Sequence, residues 1–128
     1  MSRVYDVMMM LTTALEKAGI AQTTALGIES TIVSSSYPLI RVVPAKVMPA
    51  KKGSPREMSV MVYFGDKLHE FDGLGTVYAR LCEMEEEIVA AISSGQGWKA
   101  VHVETVFDED RLPAYKMAMA RFDVVVTP

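Results

Sequence analysis

The stretch from Arg56 to Asp66, REMSVMVYFGD, constrains this chain more than any other. Its alternation puts Met58, Val60, Val62 and Phe64 on one side of an extended backbone and Ser59, Met61 and Tyr63 on the other, the two-residue period of a strand. Neither side is properly polar, so the sheet that holds this strand must be covered on both faces. After the turn FGDKLHEFDGLG, the residues Val77, Leu81, Met84, Ile88, Ala91 and Ile92 recur at the three- and four-residue spacing of one helix face. Gly95 is placed to end that helix in a left-handed conformation. Burying each larger side chain of this face contributes about 1.5 to 3 kcal/mol, which makes it a large part of any core.

A chain of 128 residues fits one domain, 1–128, able to bury a core without metal or disulfide support. A formal charge of -3 argues against a dedicated nucleic-acid binder, which would carry a basic excess or stripe, and no sequence-specific nucleic-acid binding is expected. Cys82 is the only cysteine, so an intrachain disulfide is excluded and a reducing compartment is permitted. On its helix it reads as a small buried or half-buried thiol rather than a nucleophile. The apolar run Val7 to Leu11 is too short for a signal core, and no stretch approaches the roughly 20 apolar residues of a membrane span. The expectation is a cytoplasmic product with no membrane partner.

The chain opens with a helix. Val4, Val7, Met8, Leu11, Leu15 and Ala18 form its apolar stripe, Ser2 is placed to cap the start and Gly19 to end it. Only Met8 of the triple methionine falls on the stripe; Met9 and Met10 flank it and read as a widened buried face. Between Ala21 and Tyr37, threonines and serines surround Ile28, Ile32 and Val33, room for one short strand. Pro38 to Met48 reads as a strand interrupted by Pro44, which cannot donate to a ladder and so marks an edge or a bulge. PAKKGSPRE then has loop composition and joins two strands as a long hairpin connection at about 45–56, where Lys46, Lys51, Lys52 and Arg56 make the most basic part of the chain. Past the Gly95–Trp98 turn, Val101, Val103, Thr105 and Phe107 alternate with His102, Glu104 and Val106 as a further strand. The acidic turn DEDRLP leads to a last strand from about Tyr115 to Val126. There Ala118, Ala120, Phe122, Val124 and Val126 oppose Met117, Met119, Arg121, Asp123 and Val125.

The expected fold is therefore α+β: a mixed or antiparallel sheet of four to five strands with two amphipathic helices packed on one face. The other sheet face carries Met61, Tyr63, Met117 and Met119. Monomers seldom expose apolar patches beyond a few hundred Å², so these four residues are the candidate subunit interface, and a charge at Met119 is expected to weaken self-association. The alternative cover is the chain's own segment from Ala21 to Tyr37.

Chemistry-bearing patterns are sparse. His69 and His102 lie in different elements without a partner at ligand spacing, so no metal site is expected and both read as surface histidines. Glycines 65, 73 and 75 form neither GxGxxG nor a P-loop. Glu83, Glu86 and Glu87 fall on the side of the second helix away from its apolar face and read as solvated. Asp108, Glu109 and Asp110 lack the glycine and terminal glutamate of a calcium loop. No catalytic residue, cofactor or nucleophile-base set emerges.

Taken together, a first amphipathic helix, a hairpin containing PLIRVVPA and MSVMVYFGD, a second helix containing EMEEEIVAAI, and two closing strands ending RFDVVV resemble the tail-terminator, or tail-completion, proteins of long-tailed bacteriophages. The lambda-type minor tail protein U family is the best-known example. The likeness covers nearly the whole chain and lies in length, element order and texture, without a diagnostic short motif. It implies a structural protein, not an enzyme, that forms a homo-oligomeric ring, commonly a hexamer, on the end of the completed tail tube. Its partners would be itself, the tail-tube protein and a head-completion or connector protein, and its place the virion tail, after host cytoplasm during assembly. On that reading Lys46, Lys51, Lys52 and Arg56, with Asp108, Glu109 and Asp110, meet neighbours or the tube, and opposite charges steer a heterologous contact between identical subunits. Acidic residues of the second helix facing the lumen are an alternative use of charge. Two other readings stay open: a head-tail connector or tail-tube subunit, and a ferredoxin-like small-molecule-binding domain with its pocket between the methionine-rich face and a dimer mate.

Overall fold

Arg56–Lys67 is the middle strand of a five-stranded sheet. The computed structural model describes residues 2–27, 36–49, 53, 55–67, 73–95, 98–107 and 115–126. Along these the chain runs α1 (Arg3–Lys17), β1 (Thr23–Leu26), β2 (Leu39–Val47), β3 (Arg56–Lys67), α2 (Leu74–Ser93), β4 (Lys99–Phe107) and β5 (Tyr115–Val126). The spatial order is β1-β2-β3-β5-β4, with β1 parallel to β2 and every other neighbour antiparallel. Both helices pack on the face that carries Ile40, Val42, Met58, Val60, Val62, Phe64, Ala118, Ala120, Phe122, Val124 and Val126, all buried. The architecture is α+β, a mixed sheet covered by two helices, as the periodicities require.

Local chemistry explains most boundaries. Ser2 caps α1, its hydroxyl accepting from the Tyr5 N–H at 3.2 Å, and Gly19 follows the helix at φ 67, where a side chain would be strained. Val7, Met8, Leu11 and Leu15 are buried, and Thr12 joins them because its hydroxyl donates to the Met8 carbonyl at 2.8 Å. Met9 and Met10 do not extend that buried face. Met9 is exposed and Met10 half-buried, and both line a groove of about 380 Å³ together with Thr13, Ala14, Lys17 and Trp98.

The end of α2 departs from expectation. Gly95 is not left-handed; the left-handed glycines among the described residues are Gly19, Gly27 and Gly53. The last turn is closed by the Ser94 N–H on Ala90 O and by the Trp98 indole, whose Nε1–H donates to Ile92 O at 2.8 Å. A Cβ at position 95 would lie 1.7 Å from Trp98 Cζ2, so glycine is there to admit the ring. The reason is space rather than backbone angle.

Pro44 sits where the sequence places it, at a β-bulge between Pro44 and Lys46, two residues past the last β1–β2 rung, Leu26↔Val42. The short strand within Ala21–Tyr37 is Thr23–Leu26; Ile28, Ile32 and Val33, its expected apolar content, lie outside the described residues, as do Lys51, Lys52, His69, Asp108, Glu109 and Asp110. In β4 the simple alternation is broken by a bulge between His102 and Glu104. Ala100, His102, Thr105 and Phe107 pair with inward residues of β5, whereas Lys99, Val101, Glu104 and Val106 pair with outward ones. The two-residue period groups Val101 with Val103 and Thr105; the extra residue instead puts Val101 on one face with Glu104.

Gly65 opposes Met117 on the outward face, and a Cβ there would meet Met117 Sδ at 2.2 Å and the Lys116 carbonyl at 2.8 Å. The thioether can swing aside, but the carbonyl belongs to the central ladder. Gly65→Ala is expected to lower stability by about 1 to 3 kcal/mol, read as a lower urea midpoint with unchanged far-UV circular dichroism; an unshifted midpoint would show that β5 gives way freely.

Candidate subunit interface

The outward face of β3 and β5 brings together the four residues expected at a subunit boundary. Tyr63 is opposite Met119, Gly65 opposite Met117, and Met61 opposite Arg121. Their exposures differ. Met117 is 3% and Met119 6% accessible within the single chain, and Leu39 and Arg41 of β2 beside them are buried as well. Met61 and Tyr63 are half-buried, the tyrosine hydroxyl lying 3.7 Å from Met61 Sδ. The expectation of one continuous bare face through all four residues is therefore corrected: its Met117 end is closed by the chain itself. Sequence alternation identifies which side a residue takes, and says nothing about what lies over it.

The open part of this face is its other end. There Glu57, Lys99, Val101, Asp123, Val124 and Val125 line a hollow of about 380 Å³. A second hollow of about 220 Å³ adjoins it, lined by Lys46, Met48, Glu57, Met58, Ser59 and Asp123. Three large apolar side chains of β4 are exposed, Val101 at 68%, Val103 at 44% and Phe107 at 37%, and β4 pairs with β5 alone among the described strands. An edge of this length and composition is a template for another strand. Alternation alone does not reveal it, because edge position is set by strand order.

The basic and acidic connections fall at opposite ends of the sheet. β3 begins at Arg56, paired with Val126, and finishes at Lys67, paired with Tyr115. Lys46 and Arg56, both exposed, therefore mark the end that carries the 48–55 connection, and the β4–β5 connection, in which the sequence places Asp108, Glu109 and Asp110, departs from the other.

Polar groups inside the fold serve packing. Asp66, buried, bonds the guanidinium of Arg80 at 2.6 Å and accepts from the Lys67 N–H, joining β3 to α2. Arg41 Nη1 donates to Thr23 O, Thr23 Oγ1 and Ile40 O and so pins β1 to β2; burial lowers its pKa, opposed by Tyr37. His102 is not the surface histidine the sequence suggests. It is half-buried, its ring 5.3 Å from that of Phe122, with Nε2 2.7 Å from Thr105 Oγ1. The Thr105 hydroxyl donates to Glu85 Oε2 at 2.9 Å, which leaves its lone pair to accept from a hydrogen on His102 Nε2. This chain of three groups fastens the middle of α2 to β4. Glu83, Glu86 and Glu87 are exposed as expected, and Cys82 is exposed rather than buried. Among the described residues no three acidic, histidine or cysteine side chains gather as metal ligands, and no helix is long and apolar enough to cross a membrane.

Two outcomes follow from this packing. Met119→Glu places a charge in a site closed by its own chain, so it is expected to destabilise the isolated protein by roughly 2 to 4 kcal/mol in denaturant melts; unchanged stability would mean the site opens readily. Thr105→Val leaves Glu85 and His102 without their shared partner and should cost about 1 to 3 kcal/mol, while Thr105→Ser stays near wild type; equal losses in the two would assign the effect to packing.

No protein-family model and no curated protein matches this chain.

Proposed function

We propose that this chain is a structural protein of a bacteriophage or prophage tail: it closes into a ring with copies of itself on the end of the tail tube, stops tube growth and provides the surface to which the filled head attaches. The observation that carries the reading is the separation of charge along the sheet, basic at the 48–55 end and acidic in the sequence of the 108–114 connection at the other. Unlike charges at two ends of one molecule favour a contact between different patches on identical copies. Such a heterologous contact closes into a ring when its rotation divides a full turn. If it does not close, the same contact builds a tube or filament, which is the tail-tube reading.

The order α1-β1-β2-β3-α2-β4-β5 is the element order on which the resemblance to tail terminators rests, and through that resemblance it supports the closed form. Exposed charges act over roughly 10 Å at 0.1 M salt and about 3 Å at 1 M, so ring assembly should weaken steeply between those conditions. Inactivating the coding sequence in the phage or prophage that carries it should give overlong tails without heads in electron micrographs, and Lys46→Glu combined with Arg56→Glu should reproduce that phenotype in part. Tails of normal length joined to heads would overturn the proposal.

A further inference from the structure

The open edge of β4 has a second property that the ring reading does not use: it is complementary to itself. β4 has one neighbour among the described strands, and each of its nine residues is in a described position, so its second row of backbone groups faces away from the sheet. Among the described residues, the features that guard this edge are the bulge after His102 and the charges of Lys99 and Glu104. Those features are the ones that would register a second copy. Lys99, Val101 and Glu104 pair with Val125, Asp123 and Arg121 of β5, which alternate on one strand, so all three point to the outward face although Lys99 and Glu104 are five residues apart. The bulge supplies the extra residue. Counted in rungs, Val101 lies midway between Lys99 and Glu104.

We infer that two copies of this chain pair β4 to β4 in antiparallel fashion about a two-fold axis at Val101. In that register Val101, the most exposed large apolar side chain among the described residues, meets Val101 of the second copy. Lys99 of each copy faces Glu104 of the other. Ala100 lies opposite His102 on the helix-covered face, where its small side chain leaves room. Across the joined sheet each outer rung reads Val125, Lys99, then Glu104 and Arg121 of the second copy, and since Glu104 bridges Arg121 at 3.0 Å within its own chain, the row alternates in charge. The backbone groups of two open edges are satisfied at once, and the two exposed Val101 side chains cover each other at the centre of the joined face.

This contact is isologous, so it goes beyond the heterologous ring contact and stands or falls separately. The species expected from light scattering at micromolar concentration is a dimer of about twice 14.1 kDa. In a Cys82→Ser background, Val101→Cys should form a disulfide-linked dimer, because antiparallel partners sit about 4.5 or 5.5 Å apart at Cα, within disulfide reach. Lys99→Glu and Glu104→Lys should each weaken dimerisation roughly tenfold through two like-charge contacts. Mixing the two variants should recover a heterodimer of near wild-type affinity, since both contacts are then between opposite charges. Recovery on mixing also excludes misfolding of either variant. A monomer at every concentration, or an oligomer in which Val101→Cys does not cross-link, or no recovery on mixing, would overturn the two-fold pairing. A ring with no Val101 cross-link would overturn it while leaving the tail reading intact, and a cross-linked dimer from a protein without effect on tails would do the reverse.

Discussion

The fold depends on a central pair of strands with one wholly apolar face and a second face that is apolar toward its Met117 end. All twelve residues of β3 are paired with β5, and the inward side of the pair, from Met58 to Phe64 and from Ala118 to Val126, is buried under both helices. At roughly 25 cal/mol per Å² of apolar surface removed from water, that side dominates the favourable side of folding. α1 and α2 are placed by it. The remaining constraints concern the outward side, where methionines and a tyrosine also sit, and the chain meets them unevenly: closed near Met117 and Met119, open near Val101 and Val125.

Two close approaches and two bulges adapt this plan. Glycine at 65 lets Met117 lie flat over the central ladder, and glycine at 95 lets Trp98 reach back to the last carbonyls of α2. The bulge at Pro44 spares β2 the missing N–H beyond the end of β1. The bulge after His102 turns His102 and Thr105 inward, where Glu85 of α2 meets them, and turns Val101 and Glu104 outward. One inserted residue thus fastens α2 to the edge strand and shapes what that edge offers to another chain.

Charge follows topology as well. β3 and β4 are both antiparallel to β5, so the crossover through α2 sets β4 parallel to β3 and puts the β2–β3 and β4–β5 connections at opposite ends of the sheet; in the sequence those connections carry opposite sign. On the readings proposed above, the sheet ends and the β4 edge would be separate contact regions for further copies of the chain.

Local periodicity by itself determined the two helices, the α+β class, the identity of the inward residues on β3 and β5, the cap at Ser2, the stop at Gly19 and the bulge at Pro44, because each depends on neighbours within a few residues along the chain. Strand order, the parallel pairing of β1, and the edge position of β4 depend on contacts between distant segments, and only the tertiary structure decided them. The same holds for burial. Met119 and Met61 carry the same signal in alternation, yet one is closed off and the other half-open, because cover is supplied by whatever the fold brings overhead. His102 and Gly95 depart from expectation because what gives them meaning is side-chain packing, Phe122 and Thr105 against one and Trp98 against the other, which neither alternation nor turn composition describes.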